Sequence, residues 1–335
     1  MRVEATPYTL IHETSPFVTE GGQASGRLWH LERGVECVVV MGTFDGAHLG
    51  HRMLLDGAAR DAHDRGLPLV GMTFSPPPDE LFGVEGAGHR LLSEDDRIAA
   101  LFSCGVEGVV AFDFTPEFAE LDAEAFSRLA LHDVVCARSV HVGKNFRFAR
   151  GAESGEAELT ACGEGLGFAC VAHELAEVDG DVVSSTRVRR LLDKGRVSEA
   201  ADLLGRCHYV RGEVIHGRGE ATAFGFPTAN VAVDPRLRLP AEGVYACYVE
   251  ARGMVWPAAV NVGAPVTFGG GTRNFLEANL IGFVGDLYGE EVCVSFVEWI
   301  RAQRRFESID ELEKVVLENI SWVSEVLDAP HEVLR

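Results

Sequence analysis

The chain has 335 residues, enough for two domains of ordinary size, and at 47% hydrophobic and 24% charged it has the composition of a folded globular protein. A formal charge of −21 repels polyanions, so no nucleic-acid partner is expected. No apolar stretch is long enough to span a bilayer and no basic-then-apolar leader is visible, so a cytoplasmic protein without a membrane partner is expected. The eight cysteines are scattered with no CxxC pair, which points to free thiols rather than a zinc site or disulfide framework.

Residues 1–34 carry no clear pattern. From residue 35 to about 205, short apolar runs alternate with helical patterns. Strands are expected at 35–41, 69–73, 106–112 and 139–143. A helix follows His51, with Leu54, Leu55, Ala58, Ala59 and Ala62 at helical spacing. Ser93 opens a second helix with Ile98, Leu101 and Phe102 on its apolar face, and 122–132 makes a third. This β-α-β-α rhythm predicts a parallel sheet with helices on both faces. A short helix at 199–204 is bracketed by Ser198 as N-cap and Gly205 as the terminating glycine. The pattern then changes to short strands separated by Gly and Pro, at 209–215, 228–233, 244–251, 255–261, 275–283 and 291–298. Such a series predicts a small closed barrel. A last helix starts at Ser308, capped with Glu311, and shows Ile309, Leu312, Val316, Ile320 and Val323 as one stripe.

Two segments carry phosphate chemistry. Gly42-Thr43-Phe44-Asp45-Gly46-Ala47-His48-Leu49-Gly50-His51 follows the first strand and opens the first helix. Glycines let the backbone approach an anion, and helix N-terminal amides point at it. His48 and His51, three apart, share a face and can donate to a phosphate as charge builds. An isolated glycine turn would be a plain β-turn-α with two surface histidines; the full string after a strand favours the anion site. Farther on, Ser184, Ser185 and Thr186 precede Arg189. Alone they describe an N-capped basic helix; with a nucleotide they form an oxyanion clamp. In the second half, Gly217-Arg218-Gly219 precedes Gly225-Phe226-Pro227-Thr228-Ala229-Asn230. A glycine-rich flap can cover phosphates, and the Thr228 hydroxyl and Asn230 amide are hard-oxygen groups suited to Mg²⁺ with phosphate. Glu277 lies in a strand and could take the proton from an attacking hydroxyl. The plain alternatives are a barrel turn and a solvent-facing carboxylate.

The first string resembles the signature of the nucleotidyltransferases, in particular the adenylyltransferase half of bacterial FAD synthetases. Phe74-Ser75-Pro76-Pro77-Pro78, Gly143-Lys144-Asn145-Phe146-Arg147-Phe148 and Ser184-Ser185-Thr186-Arg187-Val188-Arg189 match further motifs in order. The second string resembles riboflavin kinase, the usual C-terminal half of the same enzymes. Support comes from Gly243-Val244-Tyr245-Ala246, Asn261-Val262-Gly263, Leu276-Glu277, Asp286-Leu287-Tyr288-Gly289 and Ile300-Arg301. The resemblance implies a Rossmann-like nucleotidyltransferase domain over 1–205 and a closed β-barrel of riboflavin kinase type with a C-terminal helix over 206–335. It implies ATP, riboflavin and FMN as substrates, with Mg²⁺. The catalytic residues would be His48, His51 and Glu277, and Thr228 would meet the metal. Nucleotide and flavin would be held by Gly42, Phe44, Asp45, Gly46, Asn145, Ser184, Ser185, Thr186 and Arg189 in the first half. In the second half the corresponding residues are Gly217, Gly219, Gly225, Pro227, Asn230 and Arg301. The chain departs from the family at Ser75 and Pro77, at Ala149 in place of glycine, at Ala221-Thr222 in the flap, and at Asn279, Gly282 and Gln303. The alternative is an FMN adenylyltransferase whose barrel binds flavin with weak or no kinase activity. No motif specifies an oligomeric state.

Overall fold

Two short strands that the sequence pattern did not reveal, Ser15–Val18 (β1) and Ser25–Trp29 (β2), begin the described part of the chain. Cys37–Met41 (β3), Leu69–Ser75 (β4), Gly108–Asp113 (β5), Ala137–Gly143 (β6) and Ala169–His173 (β7) follow. The structure is a computed structural model and describes residues 13–81, 89–216, 227–263, 275–304 and 308–332. The chain divides into two units, one drawn from Tyr8–Gly88 and Ser93–Ser184, the other from His89–Leu92 and Ser185–Arg335.

In the first unit seven strands form one sheet in the order β1-β2-β5-β4-β3-β6-β7. β3 pairs in parallel with β4 and β6, while β2 joins β5 and β1 antiparallel. Every residue of β3 is buried, because helices cover both faces of a parallel sheet. Cys37, Val39 and Met41 enter one core; Val38 and Val40 enter the other. Leu49–Arg65 (α1) buries Leu54, Leu55, Ala58 and Ala62 as its spacing predicts, and ends at left-handed Gly66. Glu94–Ser103 (α2) is capped by Ser93, whose hydroxyl accepts from the Asp96 N–H at 3.1 Å. The helix expected at 122–132 is two runs, Ala123–Phe126 and a π-helical Ser127–Val134. Glu156–Leu166 (α3) precedes β7, and a small hairpin pairs Glu177–Val178 (β8) with Asp181–Val182 (β9). Strand order reverses at β3, with β4 on one side and β6 on the other, so their C-terminal ends form the crevice where such sheets bind ligands.

A part-buried polar line ties α1 to the sheet. His141 on β6 bonds Asp61 through Nε2 (3.0 Å) and His173 through Nδ1 (2.8 Å). Asp61 also accepts from Arg65 Nε at 2.8 Å. Gly57 leaves room for this line: a Cβ there would lie 2.3 Å from the His173 ring.

The second unit begins with Ser185–Leu192 (α4) and Val197–Leu204 (α5). The N-cap of α5 is Arg196, not Ser198, which sits inside the helix; Gly205 ends it in the left-handed region as expected. Starting α5 two residues earlier buries Val197. His208–Ile215 (β10), Ala229–Val233 (β11), Gly243–Ala251 (β12), Met254–Val262 (β13), Phe275–Leu280 (β14) and Glu291–Arg301 (β15) then pair antiparallel. Their ring runs β12-β15-β10-β11-β14-β13 and closes through β12–β13, as the strand series predicts. Ile309–Val326 (α6) is capped by Ser308, which accepts from the Glu311 N–H at 3.2 Å, and Val323 joins Ala246, Tyr248 and Val255 in one cluster. His331–Glu332 (β16) adds to β13.

Two predictions concern stability. Burial holds His141 below the usual histidine range against the opposing pull of Asp61, and burial lowers His208 to about 4. Unfolded histidines titrate near 6.5, so below that pH the unfolded chain binds more protons and stability falls toward about pH 4. Burial raises Asp61, but bonds from His141, Ser139 and Arg65 outweigh it and hold the group at about 2, which adds a further loss below about pH 4. Thermal melts should show Tm decreasing from pH 7 to 4, with a shallower slope in His208→Gln; equal slopes would remove His208 from this account. Separately, Ala149 has φ 62 and ψ −173, a region that suits glycine. Ala149→Gly should therefore stabilise the first unit by about 1 kcal/mol, read as a raised urea midpoint.

Candidate functional site

The turn after β3 brings Gly42, Phe44, Asp45 and Gly46 to the head of α1. Phe44, Gly46 and Ala47 all have positive φ (52, 85 and 43), which folds the turn back so that the Ala47 N–H donates to the Phe44 carbonyl at 3.1 Å. Phe44 fills the space beside Gly42, where a Cβ would lie 3.4 Å from its ring. Asp45 is buried. Arg97 of α2, itself buried, donates from Nη1 to the Thr43 carbonyl and from Nη2 to the Phe74 carbonyl, each at 3.0 Å. Arg97 was not recognised from sequence; its signal is one arginine inside the apolar face of α2.

The structure brings His48 and His51 together. Their rings stack at 3.7 Å with 12° between planes, and Phe44 meets His51 edge-on at 5.3 Å. His48 is the N-cap of α1: its Nδ1 accepts from the His51 N–H at 3.3 Å. An accepting Nδ1 carries no proton, so the neutral ring presents Nε2–H as its donor. Burial pushes His51 well below the usual histidine range, and the facing His48 ring adds to this. His51 Nδ1 is buried without a hydrogen-bond partner among the described residues. Gly50 keeps the pair in place, since a Cβ there would lie 3.1 Å from the His48 ring. These groups form a neutral, donor-bearing surface at the helix N-terminus, suited to a phosphate.

β6 ends beside β3, and its loop carries Asn145, which is exposed. Phe146 and Phe148 stack at 5.6 Å, and the Lys144 N–H donates to the His173 carbonyl at 2.9 Å, tying the loop to β7. Ser75, at the end of β4, donates to Glu94 at 2.7 Å, and Glu94 also pairs with Arg27. The Ser-Ser-Thr segment spans the division of the chain. Ser184 is the last residue of the first unit, while Ser185 and Thr186 start α4 in the second. Arg189 lies in α4 and donates from Nε to the His89 carbonyl at 3.1 Å.

In the barrel, Gly217, Gly219 and Gly225 lie outside the described residues. Pro227 is exposed, and its carbonyl accepts from Asn279 Nδ2 at 2.9 Å, which pins the turn before β11 to β14. Thr228, part-buried, follows it. Closure of the barrel then produces a polar row. Asn230 on β11 stands opposite Glu277 on β14, and Glu277 stands opposite Asn261 on β13. Directly opposed residues share a face, so a carboxylate sits between two amides. Asn261 was not predicted as a site residue; its signal is a polar position at the end of an otherwise apolar strand. Arg301 ends β15, where its Nε donates to Asn319 Oδ1 of α6 at 3.3 Å and its Nη1 to the Ala302 carbonyl. Among the described residues no group of three His, Cys, Asp or Glu could hold a metal ion. The donors at the start of β11 are hard oxygens, the Thr228 hydroxyl and the Asn230 amide, which fit Mg²⁺ arriving with phosphate rather than a protein-built cage.

Residues 31–187 match the family model for FAD synthetase, and residues 204–327 match the model for riboflavin kinase. A bifunctional riboflavin kinase/FMN adenylyltransferase from Escherichia coli strain K12 is 36% identical, over 83% of this chain and 88% of that protein. Proteins of the same name from Pseudomonas fluorescens and Bacillus subtilis are 34% and 30% identical, over 88% and 85% of this chain and 94% and 90% of theirs. A crystal structure named as a macrolide-efflux protein from Streptococcus pneumoniae superposes with a TM-score of 0.80 at 30% identity, covering 89% of this chain and 96% of that one. No helix among the described residues is long and apolar enough to cross a membrane. With both halves matched in order and relatives at this identity along most of its length, the chain belongs to the family of bifunctional riboflavin kinases/FMN adenylyltransferases.

Proposed function

We propose that the chain makes FAD in two steps, phosphorylating riboflavin to FMN on the barrel and adenylylating FMN on the α/β sheet, with ATP as donor in both. Two observations support this reading, one on the sheet and one on the barrel. Stacked neutral imidazoles cap a helix at the switch point of a parallel sheet, and a carboxylate stands between two amides on a closed barrel.

In the first unit a phosphate oxygen of FMN attacks the α-phosphorus of ATP, and the bond to the bridging oxygen breaks to release pyrophosphate. No covalent enzyme intermediate is needed; catalysis is positioning and charge stabilisation. His48 donates from Nε2 and His51 stands against it, so charge growing on the α-phosphate oxygens meets donors that are neutral beforehand. Gly42, Phe44, Asp45 and Gly46 shape the turn that receives the phosphates. Asn145, Ser184, Ser185, Thr186 and Arg189 hold nucleotide and flavin.

On the barrel the 5′-hydroxyl of riboflavin attacks the γ-phosphorus, ADP leaves, and Glu277 takes the hydroxyl proton. Asn230 stands beside Glu277 and Thr228 faces the phosphates. Mg²⁺ held by Thr228 together with ATP would neutralise phosphate charge. Gly217, Gly219, Gly225, Pro227 and Arg301 bind nucleotide and flavin in this reading. We take 1–205 and 206–335 as the functional halves, and the cytoplasm as their location.

Incubating the protein with ATP, Mg²⁺ and either riboflavin or FMN, followed by chromatography, tests the reading: riboflavin should yield FMN and FAD, and FMN should yield FAD. FMN without conversion of riboflavin would leave only the adenylyltransferase. His51→Ala should slow FAD formation from FMN by roughly a hundredfold while FMN affinity changes little. A folded variant at the wild-type rate would remove His51 from the chemistry. Glu277→Gln should abolish FMN formation from riboflavin and leave FAD formation from supplied FMN intact; retained kinase activity would place the base elsewhere.

A further inference from the structure

Backbone pairing between β11 and β14 ends just short of Thr228. Its last pairs are Asn230 with Glu277 and Ala229 with Ala278. The next residues in that register are Thr228 and Asn279. On the other side of β14 the ladder runs further, for Asn279 pairs with Ala259 and Leu280 with Ala258 of β13. The closed ring therefore holds Asn279 at a level where β11 has not yet begun. The Asn279 side chain extends the pairing, since its Nδ2 donates to the Pro227 carbonyl at 2.9 Å. A backbone carbonyl only accepts, so the group facing it is the NH₂. Pro227 has no N–H, so its carbonyl is the backbone group by which this residue can be held. That carbonyl belongs to the planar peptide unit joining Pro227 to Thr228, and a bond to its oxygen fixes the plane from which Thr228 projects. Threonine is branched at Cβ and takes few χ1 positions, so a fixed plane leaves its hydroxyl few places to stand.

We propose that Asn279 is a positioning residue: by holding the Pro227 carbonyl it places the Thr228 hydroxyl to meet Mg²⁺ as the ion arrives with nucleotide phosphate. The inference rests on the kinase reading of the barrel. Asn230 and Glu277 are fixed by the ladder itself, whereas Thr228 lies beyond the last pair and depends on the side-chain contact. A turn ordered in advance spares the ordering cost that binding would otherwise carry, so the contact contributes to affinity. It is present equally with bound substrate and in the transition state. Its loss is therefore read in the demand for metal and ATP rather than in kcat.

The test compares the full chain with two variants. Asn279→Leu is of similar size and has no donor. Asn279→His keeps one, because the imidazole Nδ1 lies as many bonds from Cβ as the asparagine nitrogen. In phosphorylation of riboflavin, Asn279→Leu should raise the Mg²⁺ concentration at half-maximal rate and the KM for ATP by roughly tenfold, the worth of one hydrogen bond. The kcat at saturation, the KM for riboflavin and adenylylation of supplied FMN should stay near wild type. Calorimetric titration with ADP reads the same contact without turnover: binding with Mg²⁺ should weaken in Asn279→Leu, binding in EDTA should not, and Asn279→His should restore the wild-type value. Unchanged Mg²⁺ dependence in Asn279→Leu, an equal weakening in EDTA, or a loss that Asn279→His fails to restore would each overturn the proposal. A wild-type chain that makes no FMN from riboflavin would overturn the kinase reading, and is told apart from failure of this inference because the calorimetry needs no turnover.

Discussion

One buried guanidinium underlies the α/β site. Arg97 gives two of its nitrogens to the carbonyls of Thr43 and Phe74, residues that follow or end neighbouring strands. A buried charge is costly unless acceptors face it, and buried carbonyls are costly unless something donates to them. The two needs meet here. Arg97 accepts burial because the tight turn after β3 supplies acceptors, and the turn keeps its three positive-φ residues because Arg97 holds one of its carbonyls. That turn aims α1 so that His48 becomes its cap. The cap in turn decides which imidazole nitrogen of His48 is left to donate. A helix-packing arginine on α2 thus bears on the protonation pattern at the head of α1.

In the barrel the corresponding constraint is closure. A closed sheet cannot slip one strand without disturbing the whole ring, and a one-residue slip would turn every side chain to the opposite face. Closure therefore specifies that Asn230, Glu277 and Asn261 stand in one row although they come from three strands. Two departures from the family take part in this frame. Asn279 holds the carbonyl of Pro227, and Gln303 holds Asn261. At both positions a neutral amide makes a contact with backbone or a second amide, so these positions carry organisation of the site rather than charge.

Much of the architecture was legible along the chain, and the exceptions have physical reasons. Strands β3 to β6 and the six barrel strands were expected within a few residues, because apolar runs bounded by glycine and proline are strong signals. β1 and β2 were not, since β1 is mostly exposed and its partner short. β7, an edge strand of part-exposed residues, was not expected although residues 168–172 are all apolar. The helix expected at 122–132 extends to Val134 with a π-helical second half, a hydrogen-bond shift that side-chain spacing does not encode. Ser198 had the chemistry of an N-cap, but burial of Val197 starts α5 earlier. Ala149 stood out from sequence only as a substitution for glycine; its positive φ shows why glycine suits the position.

What the sequence determined by itself is the set of local relations. These are a strand followed by a glycine turn and a helix, His48 and His51 on one helical face, a Thr and an Asn two apart at the start of a strand, and a carboxylate inside another. Each follows from covalent spacing and the period of one element, so no distant residue is needed to read it. What only the tertiary structure decided is every relation between elements: Arg97 beneath the turn, the switch point between β3 and β6, the His141 line from α1 to β7, the standing of Glu277 between Asn230 and Asn261, and the contact of Asn261 with Gln303. Those partners are brought together by sheet register and helix packing, which depend on the summed burial of the whole unit and are written in no single stretch of the chain.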